Sequence, residues 1–261
     1  MSALGAALLG LVLAAGAEAR GQMVRVRVLE RLHPHEVLLA GPETAAISAR
    51  GDALLRDGVE VEQPLLLPEG AWTLATPRAA ARRYRGRLSA RAAAGELQLL
   101  VELPLERYVA EVVAGESISG TPEEALRALA VVVRSFVLAQ GPRHAEADVC
   151  DLAHCQVLRG TGVSSEHRER ARAAADATRG QVLVLASGAV AEAPFHAACG
   201  GHTADPRQVL GSAGSGAASV ADPGCPALAW AADVPLAAFR AALGPLLDGT
   251  GPEGGSLDPA Q

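Results

Sequence analysis

The hydrophobic pattern of this chain changes period at Pro104. Upstream, Val24-Arg25-Val26-Arg27-Val28-Leu29 alternates, and further period-two or β-rich runs occur at residues 59–61, 73–75, 84–88 and 97–103. Alternate residues of a strand share one face, so these runs predict half-buried strands joined by Gly/Asp turns. Downstream, Leu105, Tyr108, Val109 and Val112 recur at helical spacing as far as Gly115. Strands followed by helices define an α+β chain: a β-rich N-terminal part at 20–103 packed with a helix-bearing part at 104–247, with a cleft between them.

The first helix stops at Gly115, which leaves Glu116 as the first residue of the joining loop. Thr121-Pro122-Glu123-Glu124 then gives an N-cap threonine, a proline at the first helical position and a glutamate three after the cap. This second helix runs to Gly141. Residues 145–160 have no clean period and read as a loop. A third helix is expected over 166–178, strands over 181–185 and 190–197, and a short helix near 236–243. His33-Pro34-His35 reads as a turn with exposed histidines, and residues 248–261 as a disordered tail.

Composition excludes several functions. All 23 basic side chains are arginine and the chain has no lysine, so neither a P-loop nor Schiff-base catalysis can be carried, and no nucleotide partner is expected. A formal charge of −6 argues against nucleic acid. Residues 3–15 form an uncharged apolar stretch followed by Ala17-Glu18-Ala19. That is the form of a signal peptide over 1–19 with small-x-small cleavage before Arg20, an uncleaved anchor being the alternative. The expected location is outside the cytoplasm, in the periplasm or cell envelope.

Five motifs follow one another along the chain. Leu103-Pro104-Leu105-Glu106-Arg107-Tyr108-Val109 leads to Val112-Val113-Ala114-Gly115-Glu116. Ala125-Leu126 to Ala130 and Arg134-Ser135-Phe136 come next. Cys150-Asp151-x-x-His154-Cys155-Gln156-Val157, Phe195-His196-x-x-Cys199-Gly200-Gly201-His202-Thr203 and Val220-x-Asp222-Pro223 complete the order. Over about residues 24 to 240 this series resembles the stage II sporulation protein D family of peptidoglycan lytic transglycosylases. The chain departs from that pattern at Ser117-Ile118-Ser119-Gly120, where the family usually has Met-Pro and an aromatic residue, and at Ala217-Ala218-Ser219, where a basic residue is common.

The resemblance implies that Glu116 is the catalytic acid. One carboxyl can serve a lytic reaction: protonated, it protonates the departing glycosidic oxygen; ionised, it accepts a proton from the muramic 6-hydroxyl, which closes onto C1. A hydrolase instead uses a second carboxylate on water or on the sugar. Starting protonated requires apolar burial, for which Val112, Val113 and Ile118 are the candidate neighbours. Glu106 and Glu111, on the preceding helix, are expected to face solvent.

The resemblance also implies a functional arginine at Arg134, expected to contact substrate. The adjacent Gly200 and Gly201 suggest a backbone brought close to a long polymer, so Phe195, His196 and these glycines are expected to line a glycan groove. His144, Cys150, His154 and Cys155 offer two nitrogens and two sulfurs within twelve positions, the ligand set of a closed, structural zinc site, and the family implies zinc there. A Cys150–Cys155 disulfide is the rival reading, since an exported protein meets an oxidising compartment. Cys199 admits two further readings: a nucleophile with His196 or His202 as base, or a pairing with Cys225. The expected partners are peptidoglycan glycan strands, and a cell-wall amidase if the chain is instead a non-catalytic activator, as some family members are described.

Overall fold

The computed structural model describes residues 22–77, 79–139, 141–209, 219–225, 231, 233–238 and 240. The expected signal peptide, its cleavage site, the departure at Ala217-Ala218 and the tail lie outside these residues, as do 239 and 241–243 of the expected helix near 236–243, whose residues 236–238 and 240 are helical. No helix of the described residues is long and apolar enough to cross a membrane.

The protein is α+β. Nine strands form one sheet: β1 (Met23–Val28), β2 (Glu36–Ala40), β3 (Thr44–Arg50), β4 (Ala53–Arg56), β5 (Val59–Glu60), β6 (Leu65–Thr76), β7 (Ala79–Ala93), β8 (Glu96–Pro104) and β9 (Val149–Cys150). Their order is β5-β4-β3-β2-β6-β7-β8-β1-β9. Every pairing is antiparallel except β9 on β1, where Val26 faces Val149 and Arg27 faces Cys150. Alternation decides which face is buried: Val24, Val26 and Val28 of β1 and Leu97, Leu99, Val101 and Leu103 of β8 all enter the core.

Helix α1 (Leu105–Glu116) buries Leu105, Tyr108, Val109, Val112 and Val113 against that core, and α2 (Glu123–Ala139) adds Leu126, Ala130 and Val133. Each such valine or leucine contributes about 1.5–3 kcal/mol relative to exposure. Helix α3 (Ser165–Ala177) presents the small residues Ala171, Ala174 and Ala175 inward, and Ser164 caps it by accepting from the His167 N–H. The strands and these helices share a single core.

Three local expectations need correction. Thr121 does not cap α2: its hydroxyl donates to the Ile118 carbonyl at 2.8 Å and closes the preceding turn instead. The strands expected at 181–185 and 190–197 reduce to one bridge between Val184 and Val190. The reason lies in α2, where Arg134 Nη1 donates to Gln181 O at 3.0 Å and Ser135 Oγ accepts from Leu183 N at 2.8 Å, so side chains occupy the groups a strand partner would need. The 145–160 segment contains the edge strand β9, and a four-residue helix α4 (Pro206–Val209) was not anticipated.

The chain divides into two compact units. The larger holds the sheet, helices α1 to α4 and the described residues to Ala197. The smaller comprises residues 198–203 with the described residues from 220 onward. It is built on a bridge between His202 and Ala221, with Asp222 N donating to Gly201 O at 2.9 Å and Thr203 N to Val220 O at 2.8 Å.

Candidate functional site

Glu116 is the last residue of α1, one position earlier in the fold than the sequence suggested, and the extended Ser117 caps the helix by donating its N–H to Val113 O. The preceding glycine is a packing requirement. A Cβ on Gly115 would sit 2.9 Å from Val157 O and 3.4 Å from Arg159 Cγ, so only glycine lets the 157–159 segment reach the helix end. That approach brings the Val157 N–H to Glu116 Oε1 at 2.8 Å. The carboxyl is half-buried and held by a backbone donor. The expected apolar cover is only partly present, because Val112 and Val113 are fully buried but Ile118 is 78% exposed.

The residues before Val157 explain why it is placed so firmly. Gln156 is fully buried, accepts from the Tyr108 hydroxyl at 2.8 Å and donates to Val133 O at 3.4 Å, tying its segment to α1 and α2. Burial first, then the nearby Cys155, Cys150 and Glu116, hold the Tyr108 hydroxyl well above its ordinary pKa, which keeps it a neutral donor. Three successive residues thus have three anchors: Cys155 in a thiol–imidazole cluster, Gln156 on the helices, Val157 on the glutamate.

That cluster consists of His144, Cys150, His154 and Cys155, with one ligand atom of each within 4.8 Å of all the others. His144 Nε2 lies 3.4 Å from Cys155 Sγ, and His154 Nε2 lies 3.5 Å from Cys150 Sγ. A tetrahedral zinc with bonds of about 2.0–2.3 Å spaces its ligands by about 3.3–3.8 Å, so the donor set and its dimensions fit. Both cysteines are free thiols. Burial pushes the Cys150 thiol up to about 12, and burial followed by the Arg27 charge lowers the His144 pKa, favouring the neutral, metal-binding imidazole. Asp151, between the ligands, accepts from the N–H groups of Leu29 (2.8 Å) and Glu30 (3.3 Å) and from Arg82 (3.0 Å), fastening the loop to the sheet.

Arg134 is not placed to touch substrate. It is fully buried, and its five N–H donors are all engaged: Nε and Nη2 bind the Glu106 carboxylate at 3.0 and 2.6 Å, and the rest reach Ala130 O, Gln181 O and Ala175 O. The expected solvent-facing Glu106 is therefore a buried ion-pair partner, 9% exposed, and Arg134 pairs with it rather than with Glu116. Glu111 is half-buried and pairs with Arg168 of α3.

The C-terminal candidates are dispersed. Phe195 is half-buried against the core of the larger unit and His196 is exposed. Gly200 and Gly201, at φ 69° and 101°, belong to the smaller unit, where they shape a turn about Cys225. Cys199 Sγ faces a carboxylate, Asp222 Oδ2 at 3.5 Å, and its thiol pKa is raised, by desolvation first, opposite to what a nucleophile needs. Cys199 and Cys225 are both free thiols. His33 and His35 are exposed, in keeping with a surface turn.

Two features escaped sequence reasoning. His167 is buried and places Nε2 2.9 Å from Ser117 Oγ, directly after the glutamate. A cavity of about 640 Å³ lies between β7, α1 and the 158–163 segment, lined by Arg83, Arg85, Arg107 and Arg168 among others. A neighbouring cavity of about 450 Å³ shares Arg85, Arg107, Glu111 and Arg168 with it. Among the described residues Arg83, Arg85 and Arg107 form no ion pair. Arg83 and Arg85 come from the arginine-rich stretch 82–87 of β7, whereas Arg107 and Arg168 are brought beside them by α1 and α3.

No curated protein matches the chain. Residues 93–185, which hold Glu116, the Glu106–Arg134 pair and the four cysteine and histidine ligands, match the family model for stage II sporulation protein, SpoIID, and this part of the chain is a domain of the stage II sporulation protein D family.

Proposed function

We propose that the protein is an exported peptidoglycan lytic transglycosylase, with Glu116 as its single acid and base. The observation that carries this reading is the placement of Glu116 inside the family domain, at a helix end, half-buried and oriented by the Val157 N–H. The family is tied to peptidoglycan processing, and a glutamate so fixed needs no second carboxylate if the muramic 6-hydroxyl is the nucleophile. The experiment is to incubate the purified protein with glycan strands freed of stem peptides and follow release of soluble fragments. Release by the wild type supports an enzyme. Strand binding without release, together with stimulation of an added amidase, would instead make the chain an activator.

Removing stem peptides leaves lactyl carboxylates along the strand, and the unpaired Arg85 and Arg107 offer complementary charge in a cavity. Exposed charge pairs contribute roughly 0.2–1 kcal/mol each, so Arg85→Ala/Arg107→Ala is expected to raise KM roughly 2- to 30-fold with kcat little changed. The wild-type KM should rise with added salt more steeply than that of the variant. Equal KM values at low salt would remove the cavity from strand binding.

Zinc is proposed at His144, Cys150, His154 and Cys155, where a closed set of four protein ligands gives the ion a structural role. Because Cys155 leads directly to Gln156 and Val157, loss of the ion is expected to loosen the donor on Glu116 as well as the fold. Chelation should lower Tm by at least about 5 °C and reduce turnover, both restored by added zinc. An unchanged melting curve in a protein shown to be metal-free would refute the assignment. Export is proposed on the apolar N-terminal stretch, and N-terminal sequencing of the secreted product is expected to start at Arg20.

A further inference from the structure

The smaller unit contains a second group of metal-competent side chains. Cys199, Asp222 and Cys225 each present one ligand atom, and these atoms lie within 4.8 Å of one another. Cys199 Sγ is 3.5 Å from Asp222 Oδ2, close to the ligand separation of about 3.3–3.8 Å around tetrahedral zinc.

The backbone is shaped around one sulfur of the group. Cys199 N donates to Cys225 Sγ at 3.1 Å, and Gly200 and Gly201 follow it directly in the chain. Positive φ at both glycines gives the turn after Cys199 a conformation that a side chain at either position would strain. Asp222 is fixed in turn: its Oδ1 accepts from Gly224 N at 3.1 Å, its backbone N–H donates to Gly201 O, and its carbonyl accepts from Cys225 N. Oδ2 faces the Cys199 thiol.

We propose that Cys199, Asp222 and Cys225 bind a second zinc ion, distinct from the one assigned to the four-ligand cluster, with a fourth coordination position left to solvent. Two thiolates and a carboxylate carry three negative charges against the two positive charges of the ion. The Cys199 N–H on Cys225 Sγ offsets part of the excess. Binding releases the two thiol protons to solvent. A disulfide between the cysteines would leave the carboxylate without a role beside them. All three residues are half-exposed, so an ion can enter without unfolding the unit.

The test is metal analysis of the protein purified under reducing conditions and loaded with zinc, and it needs no activity. Wild type is expected to hold two equivalents. Asp222→Asn, which keeps the shape of the side chain, and Cys225→Ser should each lose one equivalent while retaining the other; Cys150→Ser/Cys155→Ser should lose the other. Cobalt loading of Cys150→Ser/Cys155→Ser reports on the second site alone, where sulfur-to-metal charge-transfer absorption is expected and should vanish in Cys225→Ser. One equivalent in wild type, unaffected by Asp222→Asn and Cys225→Ser, would overturn the proposal. So would a Cys199–Cys225 disulfide in the protein isolated from its native compartment. Either result leaves the lytic reading untouched, since that reading stands or falls on Glu116.

Discussion

Arg134→Met is expected to destabilise the protein by about 3–5 kcal/mol, the cost of leaving a buried charge without its partner. In a chain of this size that lowers Tm by roughly 10 °C. The guanidinium is fully buried and ties Glu106 of α1 to the carbonyls of Ala175 in α3 and Gln181 beyond it, so the substitution strands a carboxylate and three acceptors together. Glu106→Leu/Arg134→Met should recover much of the loss, because an apolar pair removes both desolvation penalties. Thermal melting of the two variants and the wild type checks this. If Arg134 instead contacted substrate, the single variant would melt like wild type and show only a raised KM.

Glu116→Gln is expected to lower kcat by about 10²–10⁴-fold, the span of general acid–base catalysis. The amide keeps the shape of the side chain, and its carbonyl oxygen can still accept from Val157 N, but it cannot cycle a proton. Binding of glycan strands and the melting temperature should therefore stay near wild type, separating a chemical role from a structural one. Gly115→Ala is the complementary variant: its Cβ would meet Val157 O at 2.9 Å, so it should displace the donor and lower activity while the glutamate itself remains. An active Glu116→Gln protein would take this residue out of the mechanism.

The sheet and helices were legible because each is amphipathic at its own period. Val24, Val26 and Val28, then Leu105, Tyr108, Val109 and Val112, announce strand and helix before any contact is known, and all seven are buried. Elements held by side chains rather than by a pattern were not legible. Residues 181–185 have strand-like composition, yet Arg134 and Ser135 claim Gln181 O and Leu183 N, and no ladder forms. The two-residue β9 is too short to show a period, although it seats Cys150 on the sheet edge.

At the site, the thiol–imidazole cluster was readable from spacing alone, since its four ligands fall within twelve positions. The partner of Arg134 was not. Glu106 lies 28 positions away and the pairing depends on how α1 crosses α2, which no local pattern records. The same holds for the Val157 donor on Glu116, 41 positions distant, and for the arginine-lined cavity assembled from β7, α1 and α3.

The most direct test of the lytic assignment is the mass of the fragment ends released from stem-peptide-free glycan strands. If Glu116 protonates the departing oxygen and then takes the proton of the muramic 6-hydroxyl, every new muramic end is a 1,6-anhydromuramic residue, lighter by one water than a hydrolytic end. Anhydro ends from the wild type, and none from Glu116→Gln, are the predicted result. Reducing muramic ends would show that water is the nucleophile and contradict a single-carboxyl lyase.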